Sequence, residues 1–217
     1  MEKPSGAVQK RAIKQDRAVQ TRKGILEAAI KLFARKGLLA TTMADLAKAI
    51  SMTPGALYWH FPTKEDLVLG ALEELEARYK DAWKDLITEG RTMTAAEQMR
   101  GFFQRTHSFV RENPQYGMFM CLLSSEAVEL SDRVATALRG TIDVFAHTLT
   151  GIIRYGQVKT GEFRKDVDAR TLAQALLASH MGTVIFSNLF APEASYDAMF
   201  LTLEKVTAPG MEPKHAG

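Results

Sequence analysis

Apolar residues recur at the spacing of an α-helix along almost the whole chain. The first clear stripe takes positions i, i+4, i+7 and i+8 and consists of Ile25, Ala29, Leu32 and Phe33. No segment shows the sustained alternation of a strand with hairpin punctuation. The pattern therefore predicts an all-α fold of about nine helices.

Start and stop signals divide the first third of the chain into short elements. Thr21 is a candidate N-cap of the first helix, and Gly37 is expected to end it. Thr42, with Asp45 three residues later, predicts a capping box at the start of a second helix. These signals place two helices in quick succession before residue 51.

The third helix is expected to be very short. Thr53 can cap it, Pro54 suits its first position, where proline loses no hydrogen bond, and Pro62 ends it. Leu57 and Phe61 stand at i and i+4 and are expected to face inward. They would hold the short helix against the two helices before it.

A long fourth helix is expected after Thr63. Its predicted apolar face consists of Val68, Ala71, Leu72, Leu75 and Tyr79. Asn113 and Asp168 are candidate caps of later helices. Those later helices are predicted at about 93–112, 114–129, 131–158, 168–190 and 195–207, with a turn at 158–163 and a frayed tail at 208–217.

Charge changes this picture because it is unevenly distributed. Residues 1–64 hold 12 lysines and arginines against 4 acidic residues, a net charge of +8, within a chain of net charge +3. A basic first third on an acidic remainder indicates a polyanion-binding module joined to a different kind of domain. Residues 1–20 lack apolar periodicity and are interpreted as a flexible basic arm that becomes helical near its end. A solvated basic tail with no partner is the alternative.

Composition excludes several classes of site. The single cysteine, Cys121, rules out an intramolecular disulfide and a cysteine-rich zinc site. The first six residues are polar, so we expect no signal peptide and a cytoplasmic location. Residues 171–192 carry no charged side chain, but Gln174, Ser179 and His180 argue against a membrane helix. Such a helix is expected to be buried at a subunit interface.

The small residues at the start of the third helix carry the functional argument. Two helices joined by a tight turn, with a third crossing close by, make the helix-turn-helix plan. A recognition helix enters a major groove about 12 Å wide, so small side chains let its backbone approach the bases. Tyr58, His60 and Lys64 can donate hydrogen bonds to phosphates. Plain helix packing is the alternative.

The stretch from about Gln20 to Tyr79 resembles the DNA-binding domain of TetR (tetracycline-repressor-like) transcriptional regulators. The Gly-Ala-Leu-Tyr-Trp-His-Phe string at 55–61 is especially similar to the multidrug-efflux repressor branch. One departure is Ser51, where the family often has glycine in a left-handed turn; serine there costs roughly 1 kcal/mol. The matching positions are 25–29, Leu32, Phe33, Gly37, 42–47, 53–61 and 64–67.

The resemblance implies a set of DNA contacts. Phosphates are contacted by residues matching Thr42, Thr53, Tyr58, His60 and Lys64. Residues matching Pro54, Gly55 and Ala56 lie nearest the bases, and Trp59 adds a groove or backbone contact. The implied domains are an arm at 1–20, a three-helix DNA-binding domain at 21–66 and a larger ligand-binding and dimerisation domain at 67–207.

The larger domain shows no catalytic constellation in its sequence. Its histidines stand singly, no phosphate-binding glycine loop is present, and we expect neither a metal nor a cofactor. Cys121 lies among apolar residues and is interpreted as a small buried hydrophobe rather than a nucleophile. We therefore expect no enzyme activity.

The resemblance further implies a ligand cavity and a homodimer that packs the last two long helices together. A small neutral or anionic hydrophobic effector is expected to release the dimer from a palindromic DNA operator. An activator or an effector-independent DNA-binding protein is the alternative, followed by a helical enzyme. The candidate lining, for which plain core packing is the other interpretation, is Phe102, Phe103, Thr106, His107, Met118, Met120, Cys121, Phe145, Leu149 and His180.

Overall fold

The apolar stripes of the sequence are buried between helices, as the periodicity predicts. A computed structural model describes residues 6–187 together with residues 196, 198, 199, 202 and 205. This part of the chain contains no strand, so the all-α prediction is confirmed. The helices are α1 Gly6–Lys36, α2 Met43–Ala49, α3 Pro54–His60, α4 Lys64–Glu89, α5 Ala95–Glu112, α6 Pro114–Leu130, α7 Asp132–Tyr155 and α8 Ala169–Phe186.

These eight helices are close to the nine expected. The predicted ninth helix at about 195–207 lies mostly outside the described residues. Residues 1–5 of the expected arm and the tail at 208–217 lie outside them as well. No helix of the described part is long and apolar enough to cross a membrane.

Capping residues set the beginnings of the short N-terminal helices. Thr42 and Asp45 form the predicted capping box, with the Asp45 amide donating to Thr42 Oγ1 at 3.1 Å and the Thr42 amide donating to Asp45 Oδ2 at 3.0 Å. Thr53 accepts from the Ala56 amide at 3.3 Å. Thr63 accepts from the Asp66 amide at 3.0 Å. The starts of α2, α3 and α4 are therefore fixed by local chemistry that the sequence displays.

Two predicted caps are wrong. Thr21 lies inside α1, and its hydroxyl donates back to the Arg17 carbonyl at 2.8 Å, so residues 6–20 continue the first helix instead of forming a separate arm. Asn113 precedes α6, but its side chain donates to the Phe109 carbonyl at 3.1 Å and does not cap α6. Asp168 does cap α8, accepting from the Thr171 amide at 2.9 Å.

The segment after α7 also differs from its prediction as a simple turn. Residues Gly156–Thr160 continue the helix with π geometry, and Gly161 ends it at a φ of +72°. Phe163 packs so closely against Gly156 that a Cβ there would lie 2.2 Å from the Phe163 ring. The wider helical turn and the glycine together let the chain fold back towards α8.

One continuous core joins the N-terminal helices to the rest of the chain. Leu57 and Phe61 are buried under α3, as predicted, and the expected apolar face of α4 is buried along its whole length. α1 packs against both α4 and α6, and α7 packs against α8. In the sections that follow, "the head" denotes α1–α3 and "the body" denotes α4–α8.

Candidate nucleic-acid interface and interior cavity

The short helix α3 presents a nearly open outer face. Thr53, Pro54, Gly55 and Ala56 are exposed, and a Cβ added at Gly55 would meet no other atom within 4 Å. Tyr58 and Trp59 are 48% and 76% exposed, although both are large aromatic residues. A surface tryptophan this exposed contributes nothing to the core. The residues with predicted DNA roles on α3 therefore lie together on one accessible face.

The turn before α3 holds the backbone in an unusual conformation. Ser51 has a φ of +54°, and it is the only residue besides glycine with a positive φ in the described part of the chain. The left-handed turn that the resemblance implied at this position is therefore present. Serine adopts it at a cost of roughly 1 kcal/mol relative to glycine. This turn sets the direction in which α3 leaves α2.

The other predicted DNA contacts border the same face. Thr42 is exposed at the start of α2, where its hydroxyl is engaged by Asp45 in the capping box. His60 is half-buried, and its ring lies 4.7 Å from that of Trp59 in an edge-to-face arrangement. Lys64 is half-buried at the start of α4. Seven of the nine predicted positions are thus exposed, and the other two, His60 and Lys64, are half-buried.

Lys64 is already in contact with protein groups. Its ammonium donates to the Leu39 carbonyl at 3.3 Å, while the Leu39 amide donates to Glu126 Oε2, on α6, at 2.8 Å. Burial lowers the pKa of Lys64, and the nearby Glu126 carboxylate opposes that shift. Gly37 makes this approach feasible, because a Cβ there would lie 2.9 Å from Glu126 Oε1. The head and the body therefore meet at Lys64.

A second polar contact lies beside the first. Arg133, at the start of α7, donates to Asp66 Oδ1 at 2.9 Å, and it lies 3.8 Å from Glu65 Oε1. Between the head and α7 runs a groove of about 730 Å³, lined among others by Arg22, His60 and Arg133. The corner between α6 and α7 is thus tied to the start of α4, while the rest of α7 stands away from the head.

An interior cavity of about 50 Å³ lies in the body. It includes six of the ten predicted lining residues: Phe102, Thr106, Met120, Cys121, Phe145 and His180. The remaining lining comes from Tyr79, Trp83, Gly117, Ile142, Leu177, Met181 and Val184. Five helices, α4 to α8, contribute to this one space.

The other four predicted lining residues lie elsewhere. Phe103 and Leu149 are fully buried in the core on neighbouring faces of their helices. The ring of His107 stacks on that of Tyr196 at 3.6 Å. Met118 is half-buried and lies outside the lining. Successive residues on one helix point in different directions, so a run such as Phe102-Phe103 can place only one ring in the cavity.

The polar groups at the cavity fall into two kinds. The Trp83 indole N–H donates to Thr106 Oγ1 at 2.9 Å, and the Thr106 hydroxyl donates to the Phe102 carbonyl at 2.7 Å. The Cys121 thiol approaches the Met181 carbonyl at 3.8 Å, and burial raises its pKa to about 11. Both nitrogens of His180, in contrast, are buried without a hydrogen-bond partner in the described structure. Burial, with a smaller contribution from His107, lowers the pKa of His180 to about 4.

Comparison with known families matches both parts of the chain. Residues 25–71 match the family of bacterial regulatory proteins named after tetR, and residues 95–202 match the tetracyclin repressor-like C-terminal domain. The chain belongs to the TetR family. The first match covers the exposed face of α3, and the second covers the cavity-lining helices α5 to α8.

Curated transcriptional regulators resemble part of this chain. The HTH-type transcriptional regulator TtgR of Pseudomonas putida is 43% identical over 61 residues, which are 28% of this chain and 29% of that protein. The HTH-type transcriptional repressor KstR2 of Mycobacterium tuberculosis is 35% identical over 100 residues, 44% of this chain and 47% of that protein. The chain thus aligns with less than half the length of these relatives.

The TetR fold extends over the body as well. A TetR-family regulator from Agrobacterium tumefaciens superimposes with a TM-score of 0.75 at 19% identity, covering 88% of this chain and 99% of that one. At this identity the likeness concerns the fold alone. It agrees with an all-α body in which sequence varies while helix arrangement is kept.

The cavity residues that sequence analysis missed in this TetR chain had a detectable signal on α8. The missed residues Leu177, Met181 and Val184 stand with the predicted His180 at i, i+4, i+7 and i+3, which is one face of a helix. On α4, Trp83 follows Tyr79 by four residues and extends the predicted apolar face by one turn. Gly117 gave no signal in the apolar pattern because it has no side chain. A Cβ added there would lie about 3 Å from Val110 and Val184, so the glycine allows their close approach.

Proposed function

We propose that this TetR-family chain is a transcriptional repressor that binds a palindromic DNA operator as a homodimer and is released by a small hydrophobic effector. The proposed domains are a DNA-binding domain at 21–66 and a ligand-binding and dimerisation domain at 67–207. The observation that carries the proposal is the open face of α3, with Gly55 unobstructed and Trp59 76% exposed, on a segment of strongly positive charge.

Each proposed DNA contact follows from its chemistry. Pro54, Gly55 and Ala56 carry too little bulk to keep the backbone of α3 away from base edges. Thr42, Thr53, Tyr58, His60 and Lys64 can each donate to a phosphate. Lys64 would exchange its contact with the Leu39 carbonyl for a phosphate oxygen, which links DNA binding to the contact between head and body.

The outer face of α8 supports the proposed homodimer. Between Thr171 and Phe186 the helix carries no charged residue, and Ala175, Ala178 and Ser179 are exposed. A Cβ at Gly182 would meet no atom within 4 Å, so a second helix could approach closely there. One short recognition helix reads few base pairs, and two-fold symmetry doubles that number on a palindrome.

The cavity and the α6–α7 corner suggest how an effector would act. Met120 and Cys121 line the cavity on α6. Near the end of the same helix, Glu126 accepts a hydrogen bond from the Leu39 amide. A ligand that favours a different position of α6 would therefore move Glu126 and change the hydrogen bond between Lys64 and the Leu39 carbonyl. A coupling free energy of about 1–3 kcal/mol would lower DNA affinity about 5–150-fold.

Electrophoretic mobility shift tests the DNA-binding part. The probe is the intergenic DNA beside the gene, which we expect to be bound with strong salt dependence. Tyr58→Phe and Lys64→Ala should weaken binding to all sequences similarly, while Gly55→Ser should change base preference. Lys84→Ala, the same substitution near the other end of α4, is the control and should leave affinity unchanged. A DNA affinity that changes with neither salt concentration nor DNA sequence would refute the proposed repressor function.

Sedimentation velocity tests the dimer separately. Ala178→Arg places a charge on the outer face of α8 and should convert the dimer to a monomer. Ala96→Arg, at an exposed alanine of α5, is the matched control and should leave the dimer intact. A wild-type chain that sediments as a monomer would contradict the proposed assembly.

A further inference from the structure

His180 is a polar residue placed where nothing in the protein satisfies it. Its ring lies 5.9 Å from that of Phe103 and 6.2 Å from that of Tyr196, between centroids, and it borders the interior cavity. Neither ring nitrogen has a hydrogen-bond partner in the described structure. A buried polar group without a partner costs folding free energy, so such a group is uncommon and marks a place for a missing partner.

The protonation state of His180 limits what that partner can be. Because burial lowers its pKa to about 4, the imidazole is neutral at pH 7. A neutral imidazole offers one N–H donor and one nitrogen acceptor. A hydroxyl group can use either nitrogen, and a carbonyl oxygen can accept from the N–H. Tyr196, whose hydroxyl is also buried without a partner, lies next to it.

The rest of the lining argues against a charged ligand. Among the residues that the structure describes, none of those that line the cavity is Lys, Arg, Asp or Glu. A carboxylate would therefore lose its hydration without gaining a counter-ion. An organic cation would need an open cage of aromatic faces. The ring of Trp83 instead packs against those of Phe102 and Phe145, at centroid distances of 4.5 Å and 5.0 Å, and leaves no such cage.

We propose that the cavity binds an uncharged, largely apolar aromatic compound whose single hydroxyl or carbonyl group hydrogen-bonds to His180. The inference rests on the proposed effector site and names the class of its ligand. The aromatic part would occupy the apolar cavity that Trp83 and Phe145 border. At about 50 Å³ the cavity must widen to accept it, and the flexible side chains of Met120 and Met181 on its wall can move to allow this.

Isothermal titration calorimetry on the full chain without DNA tests the proposal with three matched probes. They are para-propylphenol, propylbenzene and para-propylbenzoate, which differ in the polar group alone. We expect the phenol to bind about 10-fold more tightly than the hydrocarbon and the benzoate to bind most weakly. A benzoate that binds best, a hydrocarbon that equals the phenol, or a phenol that does not bind would overturn the proposal.

Variants of His180 locate the effect. His180→Phe should abolish the preference for the phenol over propylbenzene, without lowering the melting temperature, because an unsatisfied polar group is replaced by an apolar ring. His180→Asn retains a donor and an acceptor and should keep part of the preference. It also provides the test if the phenylalanine variant does not fold. His147→Phe, at an exposed histidine of α7, should behave as wild type. A preference that survives in both His180 variants would refute the role of this side chain.

The outcome is separable from that of the proposed function. Calorimetry measures the chemistry of the cavity, and release of operator DNA measures its regulatory use. Phenol binding that leaves DNA affinity unchanged would refute the proposed effector role and leave the proposed ligand class in place. Selective DNA binding with no phenol binding would refute the proposed ligand class and leave the proposed DNA-binding role of the head in place.

Discussion

Helix α3 of the head and helix α8 of the body use apolar and polar residues in opposite ways. α3 buries Leu57 and exposes Tyr58 and Trp59. α8 buries His180 and exposes Ala178 and Ile185. In α3 large aromatic side chains are exposed where the proposed DNA would bind, whereas in α8 a buried imidazole without a partner borders the proposed ligand cavity. The comparison teaches that residues placed against their ordinary preference mark both candidate sites.

The largest expected effect is on the free energy of unfolding, and it distinguishes the buried face of α3 from its exposed face. Leu57→Ala removes a fully buried side chain and should lower the free energy of unfolding by about 2–5 kcal/mol. Trp59→Ala, two residues away on the open face, should change it by less than about 0.5 kcal/mol. Urea denaturation measures both. A similar loss for Trp59→Ala would mean that the outer face of α3 is packed, and the contrast with α8 would fail.

The next effect tests how enclosed the cavity is. Because burial raises the pKa of Cys121 to about 11, from an ordinary value near 9, its thiolate fraction at pH 8 should be about 100-fold smaller than that of an exposed cysteine. Alkylation by iodoacetamide, followed by mass spectrometry, should be slow in the native chain and fast in urea. Rapid native alkylation would show that the cavity is open to solvent.

A smaller effect concerns the turn that directs α3. Ser51→Gly should raise the free energy of unfolding by up to about 1 kcal/mol, since glycine adopts a φ of +54° without strain. Ser125→Gly, in the interior of α6, is the matched control and should lower it by about 0.5 kcal/mol. Thermal or urea unfolding shows whether each substitution raises or lowers the free energy of unfolding. Destabilisation at both positions would show that the turn is not strained.

The smallest effect concerns the capping box of α2. The Thr42 backbone amide, then the Thr42 hydroxyl and Lys36, lower the pKa of Asp45 to about 2. Its contribution to stability should thus be complete above about pH 4 and disappear as the pH falls towards 2. Asp45→Asn should flatten this part of the pH profile of unfolding, measured by circular dichroism. Thr42→Ala, which removes one of the two hydrogen bonds, should give an intermediate slope; an unchanged slope in both variants would contradict the prediction.

Local chemistry made the head predictable. The cap at Thr53, the proline at Pro54 and the inward pair Leu57 and Phe61 all act within a few residues of each other, so the sequence displays them directly. The error at Thr21 has a local cause too. The residues before it lack an apolar stripe, but they are good helix formers and extend α1 once Ile25 and its neighbours are packed.

The cavity was harder to predict because it is a product of five helices. Periodicity identifies the apolar face of each helix, whereas Phe102 and Cys121 were expected at the cavity because the resemblance implies one and both side chains are apolar. It does not say which apolar residues meet a neighbour and which meet an empty space, so Phe103 and Leu149 were included although they belong to the packed core. Trp83 was missed because its indole is satisfied by Thr106, 23 residues away in sequence.

The continuity of α4 has a geometrical consequence. Trp83 at the cavity and Lys64 at the head lie on one unbroken helix, separated by about 28 Å at a rise of 1.5 Å per residue. Pivoting that rod by about 5° near Trp83 would displace its far end by about 2.5 Å, close to the length of a hydrogen bond. In the proposed homodimer, the proposed effector, no larger than a substituted benzene ring, would thus decide whether two recognition helices match the pitch of a duplex.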